Sequence, residues 1–235
     1  MNQIDFFLHI KEIAKILVKK GWAESNSGNF SYRLDKESFD KRSIYNNKKS
    51  LECSQEITTE MEIFISNRGA KFREMRNDVF QNCGVIRSKN GEINFYCSSE
   101  EYGFPSSEYL SHLYIQQHLM QNHPEYRVVL HTHPTFLIAF SHRFAHYSKE
   151  QLNYLLENAM TEVKLHIPKQ TGFVDSLQPG SSDLAEKSLI EFKQHDITVW
   201  KRHGCTAVAN NFWQAFDMID VLEKAAQIVL LSGVI

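Results

Sequence analysis

The feature that most constrains the fold of this chain is an apolar run that ends in two histidines. The run is Val128-Val129-Leu130-His131-Thr132-His133-Pro134. Residues 127–130 are rich in β-branched side chains and predict a buried strand. Side chains two positions apart on a strand point to the same face, so His131 and His133 present two imidazoles side by side where the strand ends. Neutral imidazole is a common ligand of zinc and related divalent metals. The pair indicates a metal site, with the alternative that each histidine is an ordinary core or surface residue.

His203 is the best candidate for a third ligand. It follows residues 198–202, which read as the end of another strand, and it precedes Gly204, where the backbone can turn. Functional sites gather at strand ends in open α/β sheets. Other histidines have no partner at ligand spacing and are interpreted as helix-surface or loop residues: His112, His118, His123, His142 and His146.

The length and composition are typical of a globular protein. The chain has 235 residues, 42% of them hydrophobic, which predicts a single domain over residues 1–235 and argues against disorder. A formal net charge of -2 leaves no broad basic surface, which argues against nucleic acid as a partner. Charged and polar residues interrupt the apolar positions near the N-terminus, so we expect no signal peptide, and no apolar run has membrane-spanning length.

Cysteine usage indicates a reducing compartment. The four cysteines have no CxxC spacing, which favours free thiols in the cytoplasm, although pairing between them is the alternative. They are Cys53, Cys83, Cys97 and Cys205.

Strand and helix patterns are interleaved along the chain. Helices are predicted over residues 5–20, 106–121 with Ser106 or Ser107 as N-cap, 148–159, 182–195 and 211–232. Strands are predicted over residues 29–34, 62–66, 126–132, 197–201 and 206–209, with a hairpin over 84–97 that turns at Asn90-Gly91. The polar residues 36–58 are interpreted as a surface insertion. The fold class is therefore α/β, a single domain with a mainly antiparallel or mixed central sheet and helices packed on its faces.

The segment Pro105-Ser106-Ser107-Glu108 is the second candidate site. Serines that open a helix expose backbone N–H groups at the positive end of its dipole, which suits an anion. Glu108 lies in the first turn, where a carboxylate is favourable on its own account. Its functional alternative is a metal ligand or a general base.

Two turns rich in small residues form further candidates for anion binding. Glu24-Ser25-Asn26-Ser27-Gly28-Asn29 lies between the first helix and the first strand, and its glycine lets backbone amides approach an oxyanion. Ser66-Asn67-Arg68-Gly69 follows the second strand and adds a guanidinium that can grip a phosphate. Ordinary surface turns are the alternative for both.

The order of these motifs along nearly the whole chain is more specific than any single motif. The residues concerned are Gly21-Trp22 before Asn26-x-Gly28-Asn29, Ser107-Glu108, His131-Thr132-His133 with Leu137-Ile138-Ala139, Thr161-Glu162, Pro179-Gly180, His203-Gly204, and the last helix around Phe216, Ile219, Asp220, Glu223, Lys224 and Ala226-Gln227. In this order the chain resembles the class II aldolase family of zinc-dependent sugar-phosphate aldolases. The rhamnulose-phosphate branch matches better than the fuculose-phosphate branch.

The resemblance implies a role for each matched position. His131, His133 and His203 would ligate one Zn²⁺ per subunit, and Glu108 would ligate the resting metal and transfer a proton. Glu162 matches a second active-site glutamate of the rhamnulose-phosphate branch. The substrate phosphate would lie against Asn26, Gly28, Asn29, Arg68, Gly69, Ser106 and Ser107.

The same resemblance implies a cytoplasmic homotetramer that cleaves a ketose 1-phosphate to dihydroxyacetone phosphate and a lactaldehyde. The aromatics Phe212, Trp213 and Phe216 suit a subunit interface, although they suit a core equally well. Two departures bear on the substrate: Arg68 stands where many relatives have Ser or Thr, and the chain ends soon after the last helix. The alternatives are a related aldolase, epimerase or dehydratase of the same fold acting on a fuculose, ribulose or methylthioribulose phosphate, a module that binds sugar phosphates, and an adducin-like scaffold without catalysis. Cobalt, manganese or iron would also suit the ligand set.

Overall fold

A computed structural model describes residues 3–34, 47–98 and 103–233 of the chain. Within these ranges the strands are β1 (Asn29–Arg33), β2 (Asn47–Ser50), β3 (Met61–Ser66), β4 (Cys83–Lys89), β5 (Glu92–Cys97), β6 (Val128–Thr132), β7 (Thr171–Val174), β8 (Ile197–Trp200) and β9 (Gly204–Ala209). The helices are α1 (Gln3–Lys20), α2 (Phe72–Met75), α3 (Tyr109–Asn122), α4 (Thr135–Arg143), α5 (Lys149–Ala159), α6 (Glu162–His166), α7 (Ser182–Phe192) and α8 (Phe212–Ser232). None of the described helices combines the length and the apolarity that crossing a membrane requires.

The strands form one mixed sheet in the order β2-β5-β4-β3-β1-β6-β9-β8-β7. Neighbouring strands are antiparallel except β7 and β8, which are parallel. The histidine strand β6 lies at the centre between β1 and β9, and His131 is paired with Asn29 on one side and with Thr206 on the other. The predicted fold class is confirmed, with helices on both faces of this sheet.

The two faces of the sheet are covered by different helices. Val128 and Leu130 of β6 pack in the core that α1, α4 and α8 share, whereas Val129 packs with Ile115 of α3 and Phe192 of α7. Side chains alternate along a strand, so His131 lies on the same face as Val129 and therefore faces the α3 layer. This alternation places the histidine pair under the N-terminus of α3.

Local sequence explains the helix ends that were predicted correctly. Ser148 and Gln151 form a capping box at the start of α5, and Asn211 caps α8 by accepting from the backbone N–H of Gln214. Gly233 ends α8 in the left-handed conformation, with a φ of 65°. The hairpin of β4 and β5 turns at Asn90-Gly91, as predicted, with both residues at positive φ.

Several expectations need correction. Helix α3 begins at Tyr109 with Glu108 at the N-cap, because residues 106–108 form a separate turn whose Ser106 carbonyl accepts from Tyr109 N–H. The stretch read as a surface insertion contains β2, which pairs with β5, and residues 36–46 of that stretch lie outside the described residues. Phe212 and Phe216 are buried in the core of the chain. Elements that the patterns did not predict are β2, β7, α2, α4 and α6.

Candidate metal centre and anion pocket

The sheet brings the three predicted histidines to one end of its central strands. His131 is the fourth residue of β6, and His133 follows on the same face after the strand ends. His203 lies in the short connection from β8 to β9, where Arg202 has a φ of 65° and His203 N–H donates to the Trp200 carbonyl at 3.0 Å. Because β9 pairs with β6, this connection carries His203 over the histidine strand.

The three imidazoles form a compact cluster. Their ligand nitrogens all lie within 4.8 Å of one another. Ring centroids are 5.1 Å apart for His131 and His133, 4.8 Å for His131 and His203, and 5.0 Å for His133 and His203. Across residues 3–34, 47–98 and 103–233, this is the group of histidine, cysteine and acidic side chains whose spacing suits a metal ion.

Hydrogen bonds on the outer side of two rings fix which nitrogen faces the cluster. Nδ1 of His131 lies 2.9 Å from the Cys205 carbonyl, which can only accept, so Nδ1 carries the proton. Nδ1 of His133 lies 2.8 Å from a carboxylate oxygen of Glu24, which assigns its proton in the same way. The two Nε2 atoms then face each other at 3.2 Å with lone pairs and no proton between them. This donor set fits a divalent cation between the rings.

Burial keeps two of the imidazoles uncharged, as metal ligands must be. Desolvation lowers the pKa of His131 well below its usual value, and the neighbouring His203 and His133 act in the same direction. Desolvation likewise lowers the pKa of His203 to about 4, again with His133 contributing. Neutral rings at neutral pH offer free lone pairs to a cation.

Glu108 completes the cluster from the N-terminus of α3. Its side chain is buried, with one carboxylate oxygen 3.3 Å from Nε2 of His203 and the other 3.6 Å from Nε2 of His131. Desolvation raises the pKa of Glu108 to about 7, against a hydrogen bond from the Asn29 amide that acts to lower it. A carboxyl group with this pKa holds or releases a proton near neutral pH, which suits acid–base chemistry.

Close packing around the rings restricts their positions. A side chain at Gly204 would contact the Thr132 carbonyl and would lie 3.0 Å from both the Cε1 atom of His131 and the Cδ2 atom of His133. The Trp200 indole lies on the other side, with its centroid 4.4 Å from that of His131 and 5.3 Å from that of His203. Glycine at position 204 is therefore required by space at the site rather than by backbone conformation.

The predicted anion-binding residues and the histidine cluster share one cavity of about 180 Å³. The turn after α1 reaches it because Gly28, at a φ of 76°, lies against the His131 carbonyl. The turn after β3 reaches it because the backbone N–H of Ser106 donates to the Ser66 carbonyl at 2.9 Å. The predicted residues that line the cavity are Asn26, Gly28, Asn29, Arg68, Gly69, Ser106, Ser107, Glu108, His131, His133 and His203.

Glu162 is the one predicted site residue that does not lie with the others in the cavity of a single chain. It is the exposed first residue of α6 and does not line this cavity. Conversely, sequence reasoning did not select Ser27, Asn67 or Pro179, which do line it. Ser27 and Asn67 lie within the two turn motifs already identified, and their place in those motifs was the sequence signal that could have identified them as cavity residues.

The interpretation of His112 as a surface residue is wrong. Its side chain is buried on α3, between the helix and β1, and both ring nitrogens have hydrogen-bond partners. Glu24 lies within the first of the two turn motifs, but its role was not predicted: its carboxylate orients His133. The hydrogen bond from His133 lowers the pKa of Glu24, against a desolvation effect that alone would raise it.

Comparison with known proteins agrees with this geometry. The model of the Class II Aldolase and Adducin N-terminal domain family matches residues 9–230. The rhamnulose-1-phosphate aldolase of Bacteroides thetaiotaomicron is 29% identical over 226 residues, covering 95% of this chain and 84% of that protein. The rhamnulose-1-phosphate aldolase of Listeria monocytogenes serotype 4a is 28% identical over 230 residues, covering 93% and 83%. A sugar-phosphate aldolase from Thermotoga maritima has a crystal structure that superposes with a TM-score of 0.84 at 26% identity, covering 98% of this chain and 97% of that one.

Proposed function

This chain belongs to the class II aldolase and adducin family and is a lyase of the aldolase type; we propose that it cleaves L-rhamnulose 1-phosphate, a ketose 1-phosphate, to dihydroxyacetone phosphate and L-lactaldehyde. The observation that carries this proposal is the placement of a buried carboxylate and three convergent imidazoles in the same cavity as two glycine-containing turns. The sugar is inferred from the curated relatives, which are named for that substrate.

The histidines would hold one Zn²⁺ per chain, and a bound divalent metal supplies Lewis-acid stabilisation of the negative charge that develops on the ketose oxygens. His131 and His203 present neutral nitrogens for this purpose. The Cys205 carbonyl orients His131, and the Glu24 carboxylate orients His133. An electron-sink lysine is not needed for such a reaction.

The protein side chains bind the phosphate and move the protons. The phosphate lies against the turns at Asn26–Asn29 and Asn67–Gly69 and the serines before α3, where Arg68 adds a positive charge. The C4 hydroxyl gives its proton to a base, for which Glu162 is the candidate, and its oxygen becomes the aldehyde oxygen as the C3–C4 bond breaks. Glu108 delivers a proton to C3, for which its raised pKa is suited.

We propose further that the chain works as a homotetramer in the cytoplasm, in rhamnose metabolism. All four cysteines are free thiols, which is in keeping with a reducing compartment. Glu162 is exposed and outside the cavity of its own chain, so its proposed part in catalysis, at C4 or on the aldehyde, requires contact between copies.

A cleavage assay tests the function. Release of dihydroxyacetone phosphate is measured from L-rhamnulose 1-phosphate and L-fuculose 1-phosphate, and epimerisation is measured with L-ribulose 5-phosphate, before and after exhaustive chelation. We expect release from the first substrate, its loss after chelation, and its return when Zn²⁺ is restored. Cleavage that survives complete metal removal would contradict the mechanism. Epimerisation or dehydration without triose release, or binding without turnover, would support the alternatives of the same fold.

A further inference from the structure

A buried histidine lies directly behind the Glu108 carboxylate. His112 is one helical turn after Glu108 on α3, is 1% exposed, and does not line the cavity. Its Nε2 atom lies 2.6 Å from Oδ1 of Asn29, and its Nδ1 atom lies 2.9 Å from the hydroxyl of Ser31. Both ring nitrogens are therefore used inside the protein, and neither is presented to a substrate.

The directions of these hydrogen bonds follow from the groups involved. The Asn29 amide donates to Oε2 of Glu108 at 2.7 Å, so the Asn29 oxygen faces His112 and accepts. Nε2 of His112 must then carry the proton, and Nδ1 must accept from the Ser31 hydroxyl. In each of these hydrogen bonds, the donor and the acceptor are thus assigned.

The path begins at a second buried amide. Nε2 of Gln116, one turn further along α3, donates to Ser31 Oγ at 3.1 Å and to the Arg127 carbonyl at 2.9 Å. Donation therefore runs in one direction from Gln116 through Ser31, His112 and Asn29 to Glu108. Hydrogen bonds in such a chain polarise one another, and reversing the Asn29 amide would place its oxygen against the carboxylate.

His112 keeps this arrangement over a wide pH range. Desolvation lowers the pKa of its imidazole to about 3, so the ring is neutral near neutral pH and its hydrogen bonds select one tautomer. A neutral ring with both nitrogens bonded cannot take up a proton from a substrate. Its contribution is geometrical.

We propose that His112 is a positioning residue that acts through Asn29 to hold the Glu108 carboxylate against the histidine cluster. The carboxylate lies 3.3 Å from Nε2 of His203 and 3.6 Å from Nε2 of His131, and the Asn29 amide donates to Oε2, the oxygen that faces His131. Without the bond from His112, the Asn29 amide is free to turn, and the carboxylate loses the donor that selects its orientation. This inference rests on the proposed metal site but not on the identity of the sugar.

The test uses Co²⁺ as a spectroscopic probe, with binding followed by equilibrium dialysis and coordination by visible absorption. His112→Phe preserves a planar ring but removes both hydrogen bonds, and His112→Gln keeps a donor near the Nε2 position. We expect His112→Phe to bind Co²⁺ about 10-fold more weakly, on the scale of other losses around metal ligands, and to show the absorption bands of Glu108→Ala. His112→Gln should resemble the unsubstituted protein. In the cleavage assay, His112→Phe should lower kcat more than it changes KM.

A folded His112→Phe protein with unchanged Co²⁺ affinity and spectrum would overturn the proposal. If that variant does not fold, Ser31→Ala removes the donor to Nδ1 with little change in volume, and an unchanged spectrum there would overturn it as well. The proposed function fails separately, because a protein that binds Co²⁺ with these spectral differences but releases no triose phosphate would contradict the aldolase assignment alone.

Discussion

The Nε2 atoms of His131 and His133 lie 3.2 Å apart, and the other nitrogen of each ring donates outward, to the Cys205 carbonyl and to the Glu24 carboxylate. Two facing lone pairs at this distance repel each other unless a cation or a proton lies between them. A divalent cation bound between the rings would pair with both lone pairs.

Zinc should stabilise the fold through these rings. At a free Zn²⁺ concentration of 1,000 times its Kd, we expect about 4 kcal/mol of stabilisation, since only the folded chain brings the three ligands together. His133→Ala should abolish both the stabilisation and the activity, whereas His142→Ala, at an exposed position of α4, should change neither. Thermal melts with and without Zn²⁺, together with metal analysis, measure this. Equal stabilisation of His133→Ala would place the metal elsewhere.

Removal of the Glu108 carboxylate should separate turnover from metal binding. Glu108→Ala keeps the three imidazoles, so we expect metal to remain bound while kcat falls by about 10²- to 10⁴-fold, the usual contribution of a proton-transfer group. Steady-state kinetics and metal content are read from the same preparation. Glu162→Gln is measured in parallel, and full activity in that variant would remove Glu162 from the mechanism.

Gly204→Ala should damage the metal site by displacing the backbone that carries it. The added methyl group meets the Thr132 carbonyl, so the backbone there must shift, and it lies 3.0 Å from a ring atom of each histidine of the pair. We expect metal affinity to fall by at least about 10-fold, as when ligand orientation is lost. Gly21→Ala is the control, because open space surrounds that position and its cost is limited to positive φ. Wild-type affinity in Gly204→Ala would show that the site tolerates displacement.

Glu223 links the last helix to the helix that follows the histidine strand. It is buried, and its carboxylate accepts from the backbone N–H groups of Phe136 and Leu137 at 3.0 and 2.7 Å, where Pro134 offers no side-chain cap to α4. Glu223→Ala should cost about 1–3 kcal/mol, since one buried and one partly buried donor lose their partner.

A neighbouring acidic residue of α8 provides the matched control. Asp220 forms a surface ion pair with Lys20 at 2.8 Å, so Asp220→Ala should cost less than about 1 kcal/mol. Urea unfolding of both variants makes the comparison. Equal losses in the two would contradict the capping role of Glu223.

Metal-free protein should lose stability as the pH falls below about 6.5. In the folded state, burial lowers the pKa of His112 to about 3, that of His203 to about 4, and that of His131 well below its usual value of 6.5. The unfolded chain therefore binds more protons at these three groups. Stability from these groups is present above their unfolded pKa and is lost as the pH falls towards the folded values.

Glu108 acts in the opposite direction. Its pKa is raised to about 7, so it favours the folded state below its unfolded value of 4.5 and loses that contribution as the pH rises through 7. Between pH 4.5 and 6.5 the three histidines outweigh it, with a net uptake of about two protons on unfolding. Urea midpoints from pH 5 to 8 measure the slope, and Glu108→Gln should steepen it. A midpoint that rises as the pH falls from 6.5 to 5 would contradict the assignment.

Local patterns were sufficient for much of the fold because they depend on neighbouring residues. The two-residue period of β6 places His131 and His133 on one face. The caps at Ser148 and Asn211 follow from side-chain chemistry within one helical turn, and the end at Gly233 follows from the left-handed backbone that glycine adopts. The short elements β7 and α6 escaped prediction because they carry too few residues for a periodic signal.

The burial of His112 was not readable from the sequence. Helix α3 packs against the sheet on one side and against α7 on the other, so polar residues such as Ser111, His112 and Gln116 are buried. A helix enclosed on two sides has no simple apolar stripe, and a histidine in it looks like a surface residue.

By itself, the sequence determined that two imidazoles share a face at a strand end, and the order of motifs indicated a third histidine and a carboxylate. Only the tertiary structure decided that these groups meet, that Glu162 of the same chain does not join them, and that His112 lies behind Glu108. The physical reason is that convergence depends on strand order and helix layering. The pairing of β6 with β1 and β9, and the packing of α3 over β1, join residues 29, 108, 131 and 203, and no local pattern records such distant contacts.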